Sequence, residues 1–315
     1  MPFEFSIIIP TYNRSEILLK TLESLREQSL SKEDFEVIIV NDGSSDDTEM
    51  QVENFEKKYK SLNLKYFYQK NSGQGIARNF GISKSKGRII VFIGDDIILD
   101  RNFLAEHLKT HQEHSSGNHA VLGLIKWHPE LEVTPFMDWL TNGSSIFGKF
   151  GGHQFAFEKL EGKNSADFNF FYTANISLKR EMIEKKEDQF DSDFGSYGWE
   201  DVELGYRLQQ KYGLKIFYNP KAIGYHYHQM NEKDLTRRME MIGKSAHIIH
   251  AKHPELKKMP GFLKKLCFRI LGSWLSLAVI WLVNRLANQK YRAFWYYALS
   301  KRGFMKGIGN RLTAQ

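Results

Sequence analysis

Four short β-rich runs, each followed by a polar turn and then an amphipathic stretch, constrain this chain more than any other feature. Residues 5–9 (Phe-Ser-Ile-Ile-Ile) precede a turn with Pro10 and Asn13, after which Ile17, Leu18, Leu22 and Leu25 recur on one helical face. The order repeats at residues 35–40 with a helix from about Asp46, at 64–68 with a helix from about Gln74, and at 89–93 with a helix from about Asn102. Strands buried on both faces that alternate with helices predict an α/β fold with a doubly wound, mostly parallel, Rossmann-like sheet. In such sheets ligands bind beyond the carboxyl ends of the strands.

Polar residues cluster at those ends. Thr11, Tyr12, Asn13 and Arg14 follow the first strand, Asn41 to Ser45 the second, and Gly94, Asp95 and Asp96 the fourth. Three strand ends therefore face one expected crevice. Residues 127–169 are irregular and rich in Gly, aromatics and His, as loops over that crevice would be. Beyond them, 170–178 reads as a strand, 199–212 as a helix, and 215–218 and 222–228 as short strands.

Each polar cluster has a plain reading beside a chemical one. Asp42 with Gly43-Ser44-Ser45-Asp46 fits a turn and helix cap. It also fits a carboxylate accepting from a base edge or ribose hydroxyl, with Tyr12 offering a flat face to a base. Asp95 and Asp96 repel one another, so the pair is favourable mainly beside a cation. A hard ion such as Mn²⁺ or Mg²⁺ takes one or two carboxylates plus phosphate oxygens and water. The competing reading is an acidic turn capping the next helix. Gly73, Gly75, Arg78 and Asn79 suit either a turn or close approach of backbone to an anion. A cation in a first helical turn is poorly placed for the helix dipole, which favours a ligand for Arg78. Glu200 and Asp201 open a helix, where acids complement the dipole and where one can serve as general base to an acceptor hydroxyl. His226 and His228 lie two apart in an expected strand and so on one face, either structural or ligating.

With those residues in view, the sequence resembles the family 2 glycosyltransferases, inverting enzymes of the GT-A fold. The resemblance rests on Pro10-Thr11-Tyr12-Asn13, on residues 40–46, on Gly73 to Asn79 leading to Lys86-Gly87, on residues 92–96, and on residues 198–204. It implies a donor site of Pro10, Thr11, Tyr12, Asn13, Asp42, Arg78 and Asp95, with Tyr12 and Asp42 on the base, Arg78 on base or diphosphate, and Asp95 on the ribose. It further implies Asp96 as metal ligand with His226, and His228 as the alternative, around Mn²⁺ or Mg²⁺. Asp201, beside Glu200, would be the catalytic base for transfer from a nucleoside diphosphate sugar, UDP-linked in the first instance, to a saccharide or lipid-linked acceptor in cell-surface polysaccharide or glycolipid synthesis. The family's common pattern has an acid where this chain has Gly94, which moves the metal burden to Asp96. The expected division is a glycosyltransferase domain over 1–230, with a donor half 1–126 and an acceptor half 127–230, followed by a helical extension 231–315.

The chain has 315 residues, enough for a large domain with an appendage, and Cys267 is its single cysteine, which excludes an internal disulfide or thiolate zinc site. With no basic, apolar leader at Met1, a cytoplasmic location is expected. The formal charge is +7, yet residues 256–315 hold 12 Lys and Arg and no acid, so the remainder is net acidic with 32 basic against 37 acidic residues. From 262 to 283 apolar residues form a helical stripe opposite Lys264, Lys265 and Arg269. The apolar run is too short to span a bilayer, so residues 262–315 read as an aromatic, cationic, membrane-associating surface for anionic lipid on the inner face of the cell membrane. A core-packing basic helix pair and a short re-entrant hairpin are the competing readings.

A nucleic-acid module does not account for the acidic crevice. A sugar nucleotidyltransferase of related fold lacks its Gly-rich basic loop after the first strand. A glycosidase needs no nucleotide features. A non-catalytic nucleotide-sugar-binding protein would have no use for both Asp96 and Asp201.

Overall fold

Runs rich in aliphatic and aromatic residues form the strands, and their turn-rich successors start the helices. The computed structural model describes residues 3–114, 116–144, 156–195 and 197–309. In chain order the elements are β1 (Phe5–Thr11), α1 (Ser15–Arg26), β2 (Phe35–Asp42), α2 (Thr48–Lys58), β3 (Leu64–Gln69), α3 (Gln74–Lys84), β4 (Ile89–Ile93), β5 (Ile97–Leu99), α4 (Phe103–Glu113) and β6 (His119–Trp127). They continue with α5 (Pro135–Asn142), β7 (Ser165–Ala166), β8 (Asn175–Lys179), α6 (Glu200–Tyr212), β9 (Lys215–His226), α7 (Glu232–Lys252), α8 (Phe262–Leu271), α9 (Trp274–Leu286) and α10 (Arg292–Gly309).

The chain divides into two compact units. The first comprises Met1–Leu131, Leu160–Gly195 and Glu200–His228, and the second Glu132–Lys159, Ser196–Trp199 and Gln229–Gln315. In the first unit the strands make one sheet in the order β3-β2-β1-β4-β8-β6-β9-β5, with β7 on β9. β1 pairs in parallel with both β2 and β4, and every residue of β1, β2 and β4 is buried. Burial of each large aliphatic side chain contributes roughly 1.5–3 kcal/mol, so these strands anchor the fold. β8 enters antiparallel between β4 and β6, which makes the sheet mixed rather than wholly parallel.

Three local expectations change. The strand expected over 170–178 is a short 3-10 turn, Phe168–Phe170, capped by Asp167, and then β8. The two short strands expected after residue 215 are one strand, β9, because its pairing with β6 shifts register between Gly123 and Leu124 and so absorbs Pro220 without breaking the sheet. Much of the loop region expected over 127–169 is otherwise built: it carries α5, capped by Thr134 with Pro135 in its first turn, while residues 145–155 lie outside the described residues.

In the second unit α7 starts at a capping box of Asn231 and Asp234. α7 and α10 approach closely through glycine: a Cβ at Gly303 would stand 2.6 Å from the Thr236 carbonyl oxygen. α10 is a core helix. Its Tyr296 is buried and lies edge-on to Phe136 at 5.1 Å between ring centres. The aromatic tail thus divides: the α10 rings expected on a lipid-facing surface include packed ones, whereas α8 and α9 leave their apolar residues exposed. Among the described residues no single helix is long and apolar enough to cross a membrane. α8 and α9 reach that length and apolarity only together, with a 54° bend.

Candidate active site at the strand ends

The parallel pairing of β1 with β4 sets Thr11 and Asp95 side by side, and the Thr11 hydroxyl donates to Asp95 Oδ2 at 2.8 Å. This is the point where the strand order reverses, β2 lying on one side of β1 and β4 on the other. Thr21 from α1 donates to the Asp95 carbonyl at 2.8 Å, which fixes the backbone of the acidic turn. Arg14, just past β1, donates from Nη1 to Asp96 Oδ2 at 2.5 Å and to Asp95 Oδ1 at 3.3 Å. One guanidinium therefore answers both carboxylates. That role was missed in the sequence, although adjacent buried acids called for a cation and Arg14 stood at the neighbouring strand end.

Asp96 also meets His226. β5 runs antiparallel to β9 with Ile97 opposite His226, and the Tyr227 N–H donates to the Asp96 carbonyl at 2.8 Å. The result is a separation of 3.5 Å between Asp96 Oδ2 and His226 Nε2. Trp127, opposite His226 on β6, packs edge-on to the imidazole at 5.2 Å. β9 ends at His226, so His228 lies beyond the strand, its ring centre 6.0 Å from that of His226. Burial and the Asp96 charge push the Asp95 carboxyl well above the usual carboxylate range. Burial also acts to raise Asp96, but His226 and Arg14 outweigh it and hold Asp96 below that range.

Among the described residues no three His, Cys, Asp or Glu side chains gather as a metal cage. The donor set is a pair, one carboxylate oxygen and one imidazole nitrogen. That pair fits an ion such as Mn²⁺ or Mg²⁺ which takes few protein ligands and completes its shell with phosphate oxygens and water.

Asp42 does a different job from a simple cap. Gln69 Nε2, at 2.7 Å, and the Ser72 N–H, at 2.8 Å, donate to its Oδ1, and the Gly73 N–H donates to Oδ2 at 2.9 Å, so it ties the end of β2 to the loop entering α3. Gly73 adopts φ +96°, and a Cβ there would stand 2.7 Å from the Gly195 carbonyl oxygen. Pro10 is buried within β1, while Tyr12 is 50% exposed beyond it. Asn13, at φ 51°, accepts from the Ser45 N–H at 2.8 Å and so links the first two strand ends. Arg78 is buried: its guanidinium lies 3.9 Å from Glu200 Oε1 and over the Phe190 ring at 5.5 Å. Gln74 Nε2 donates to the same Glu200 oxygen at 2.5 Å. Glu200 is thereby enclosed between α3 and α6, and Asp201 next to it is mostly buried. Burial and the neighbouring Glu200 charge push the Asp201 carboxyl up to about 7.

Residues 6–150 match glycosyl transferase family 2. The chain is 29% identical over 218 residues to a validoxylamine A glucosyltransferase of Streptomyces hygroscopicus subsp. jinggangensis (strain 5008), covering 64% of this chain and 50% of the relative. It is 28% identical over 255 residues to a chondroitin synthase of Escherichia coli, covering 74% of this chain and 36% of the synthase. The chain thus spans half or less of these relatives. Among solved structures, the mannosyltransferase PcManGT from Pyrobaculum calidifontis, in complex with GDP-Man and Mn²⁺, superposes with a TM-score of 0.64 at 19% identity, over 98% of this chain and 89% of that one. That likeness is one of fold. The matched segment thus runs over β1 to β6 and includes the acidic turn at the β1–β4 crossover, so residues 6–150 are similar to glycosyl transferase family 2, and the chain has a GT-A-like α/β fold.

Proposed function

We propose that the chain transfers a sugar from a nucleoside diphosphate sugar to an acceptor hydroxyl with inversion at the anomeric carbon. The observation that carries this reading is the Asp96–His226 pair, set at 3.5 Å beside Asp95 and Arg14 where parallel strands end. Residues 1–126 hold the donor and 127–230 the acceptor. Tyr12 stacks on the base, Thr11 and Asn13 shape the loop around it, and Asp95 accepts from the ribose. Asp42 and Arg78 act from just behind, the first by fixing the loop before α3 and the second by orienting α6 through Glu200. Asp96 and His226, with His228 beside them, would hold a divalent ion, which would supply charge neutralisation for the diphosphate.

Asp201 is the base. Its carboxylate takes the acceptor proton as the hydroxyl oxygen attacks the anomeric carbon opposite the diphosphate, whose bond to the sugar breaks with the electron pair leaving on the phosphate oxygen. Glu200 is a positioning residue. The donor is a UDP-sugar in the first instance and the acceptor a saccharide or lipid-linked saccharide, with attachment to anionic lipid at the inner membrane face through residues 262–286. Support comes from the family, from the GDP-Man and Mn²⁺ in the mannosyltransferase complex, and from the UDP bound in the related Staphylococcus aureus TarS structure, which superposes with a TM-score of 0.53 at 18% identity.

A screen of nucleotide sugars with Mn²⁺ or Mg²⁺, read by release of nucleoside diphosphate, tests the activity. Release from one donor class that vanishes in chelator is expected. No binding or release with any donor overturns the reading.

A further inference from the structure

Helices that pack into a protein turn their apolar stripe inward. α8 and α9 do the reverse. Phe262 is 81% exposed, Trp274 77%, and Leu263, Ile270, Leu275 and Leu286 are each more than half exposed. The segment carries cations and no acid, the composition of a helix that lies in a lipid headgroup layer.

A cavity of about 580 Å³ opens within the same unit, and its lining shares Trp281 and Arg285 with α9. The other side chains that matter are Arg292, Glu232, Trp295 and Tyr296. Arg285 lies over the Trp281 ring at 5.4 Å, and Trp295 Nε1 donates to Glu232 Oε2 at 2.9 Å, so the aromatic rings hold one group of each charge. The connection between α9 and α10 forms part of the wall. Its Asn288 and Gln289 take φ values of 46° and 63°, a left-handed conformation in two successive non-glycine residues. The Gln289 N–H and the Tyr291 N–H both return to Asn284 and hold this shape. Strain of this kind persists where surrounding structure over-determines it and gathers at ligand clamps.

Two guanidiniums match a phosphodiester, since they are weakly hydrated forks of donors. A carboxylate among indole and phenol faces matches an alkylammonium. A ligand bearing both charges satisfies the lining, whereas a bare anion would meet Glu232. We propose that this cavity binds the headgroup of an amine-bearing phospholipid, phosphate on Arg285 and Arg292 and ammonium on Glu232 and its rings, with the acyl chains lying along α8 and α9. The proposal rests on the membrane attachment described above and names the lipid it selects.

Glycerophosphoethanolamine titrated into the full chain, followed by ligand-detected NMR, is the direct test. Saturable binding is expected, weakened about tenfold or more in R285Q/R292Q, as loss of charge-assisted hydrogen bonds predicts, while circular dichroism stays unchanged. E232Q should erase the preference over glycerol 3-phosphate. Equal curves for parent and arginine variant, or equal binding of inorganic phosphate, overturn the headgroup site. Trp274→Ser with Leu275→Ser separates the two readings, since it should reduce sedimentation with phosphatidylglycerol-containing vesicles and leave the soluble titration intact. A parent chain that sediments with no vesicle sinks the membrane attachment, and with it a lipid as the occupant.

Discussion

Arg14 donates to Asp96 at 2.5 Å and to Asp95 at 3.3 Å, so a side chain from the β1 turn supplies the positive charge that the acidic pair of the β4 turn requires. Removal of one partner from a mostly buried pair leaves an uncompensated charge. Arg14 is 37% exposed, so solvent screening reduces the cost to roughly 1–2 kcal/mol. Arg14→Gln should therefore lower the melting temperature in chelator. A divalent ion at Asp96 can replace the lost charge, so added Mn²⁺ should recover more stability in the variant than in the parent. Thermal unfolding of both proteins with and without Mn²⁺ measures the difference, and identical Mn²⁺ effects would count against an ion at Asp96.

Asp201 has a carboxyl raised to about 7 by burial and by Glu200, and a base works only when ionised. Transfer should consequently rise with pH through about 7 and flatten above it. Glu200→Gln removes the neighbouring charge, so the acid limb should move to lower pH with the donor still bound. Asp201→Asn should abolish the limb together with turnover while calorimetry still detects donor in Mn²⁺. A pH profile in Asp201→Asn that matches the parent removes Asp201 from the role.

The sheet was legible because uninterrupted runs such as residues 89–93 have one outlet, a strand buried on both faces, and because Asp95 and Asp96 stood at its end. The Asp96–His226 approach was legible as a pair of residue types but not as a contact. Their 130-residue separation is closed by the β5–β9 register, and register depends on pairing choices that no local pattern encodes. Arg78 showed its charge and not its partner, since Glu200 reaches it only once α6 packs beside α3. In the tail, periodicity identified an apolar face over 262–283 and composition an aromatic, basic stretch beyond it, but neither could distinguish a face that meets α7, as in α10, from one that stays exposed, as in α8.

Three histidines outside the candidate active site set an acid limit on stability. His107 Nδ1 and His111 Nε2 each lie 2.8 Å from the Ser177 hydroxyl, and His111 Nδ1 lies 2.9 Å from His119 Nε2. Burial depresses His107 to about 4 and, with the charge of His119, His111 to about 2. Groups depressed in the folded state contribute stability above their unfolded value near 6.5 and lose it as pH falls toward the folded value. His107 alone accounts for a loss on the order of 3 kcal/mol between pH 6.5 and 4. Urea midpoints should fall steeply across that window, and His107→Gln should flatten the slope at the cost of a lower plateau at neutral pH. A pH-independent midpoint in the parent would show that these imidazoles are not held neutral.

Arg78 and Glu200 are both nearly inaccessible, with side-chain exposures of 5% and 4%, and stand 3.9 Å apart. Breaking a buried pair from one side costs about 3–5 kcal/mol because the surviving charge stays buried, whereas replacing both partners by apolar residues of similar size is often neutral. Arg78→Met and Glu200→Leu should each destabilise strongly, and the double variant should recover most of the loss in chemical denaturation. If the pair exists to orient α6 and its Asp201, the recovered fold should still transfer poorly, with the deficit in kcat and little change in KM for the donor. A double variant restored in both stability and turnover would show that the pair serves neither purpose, leaving the orientation of Asp201 to the backbone of α6 alone.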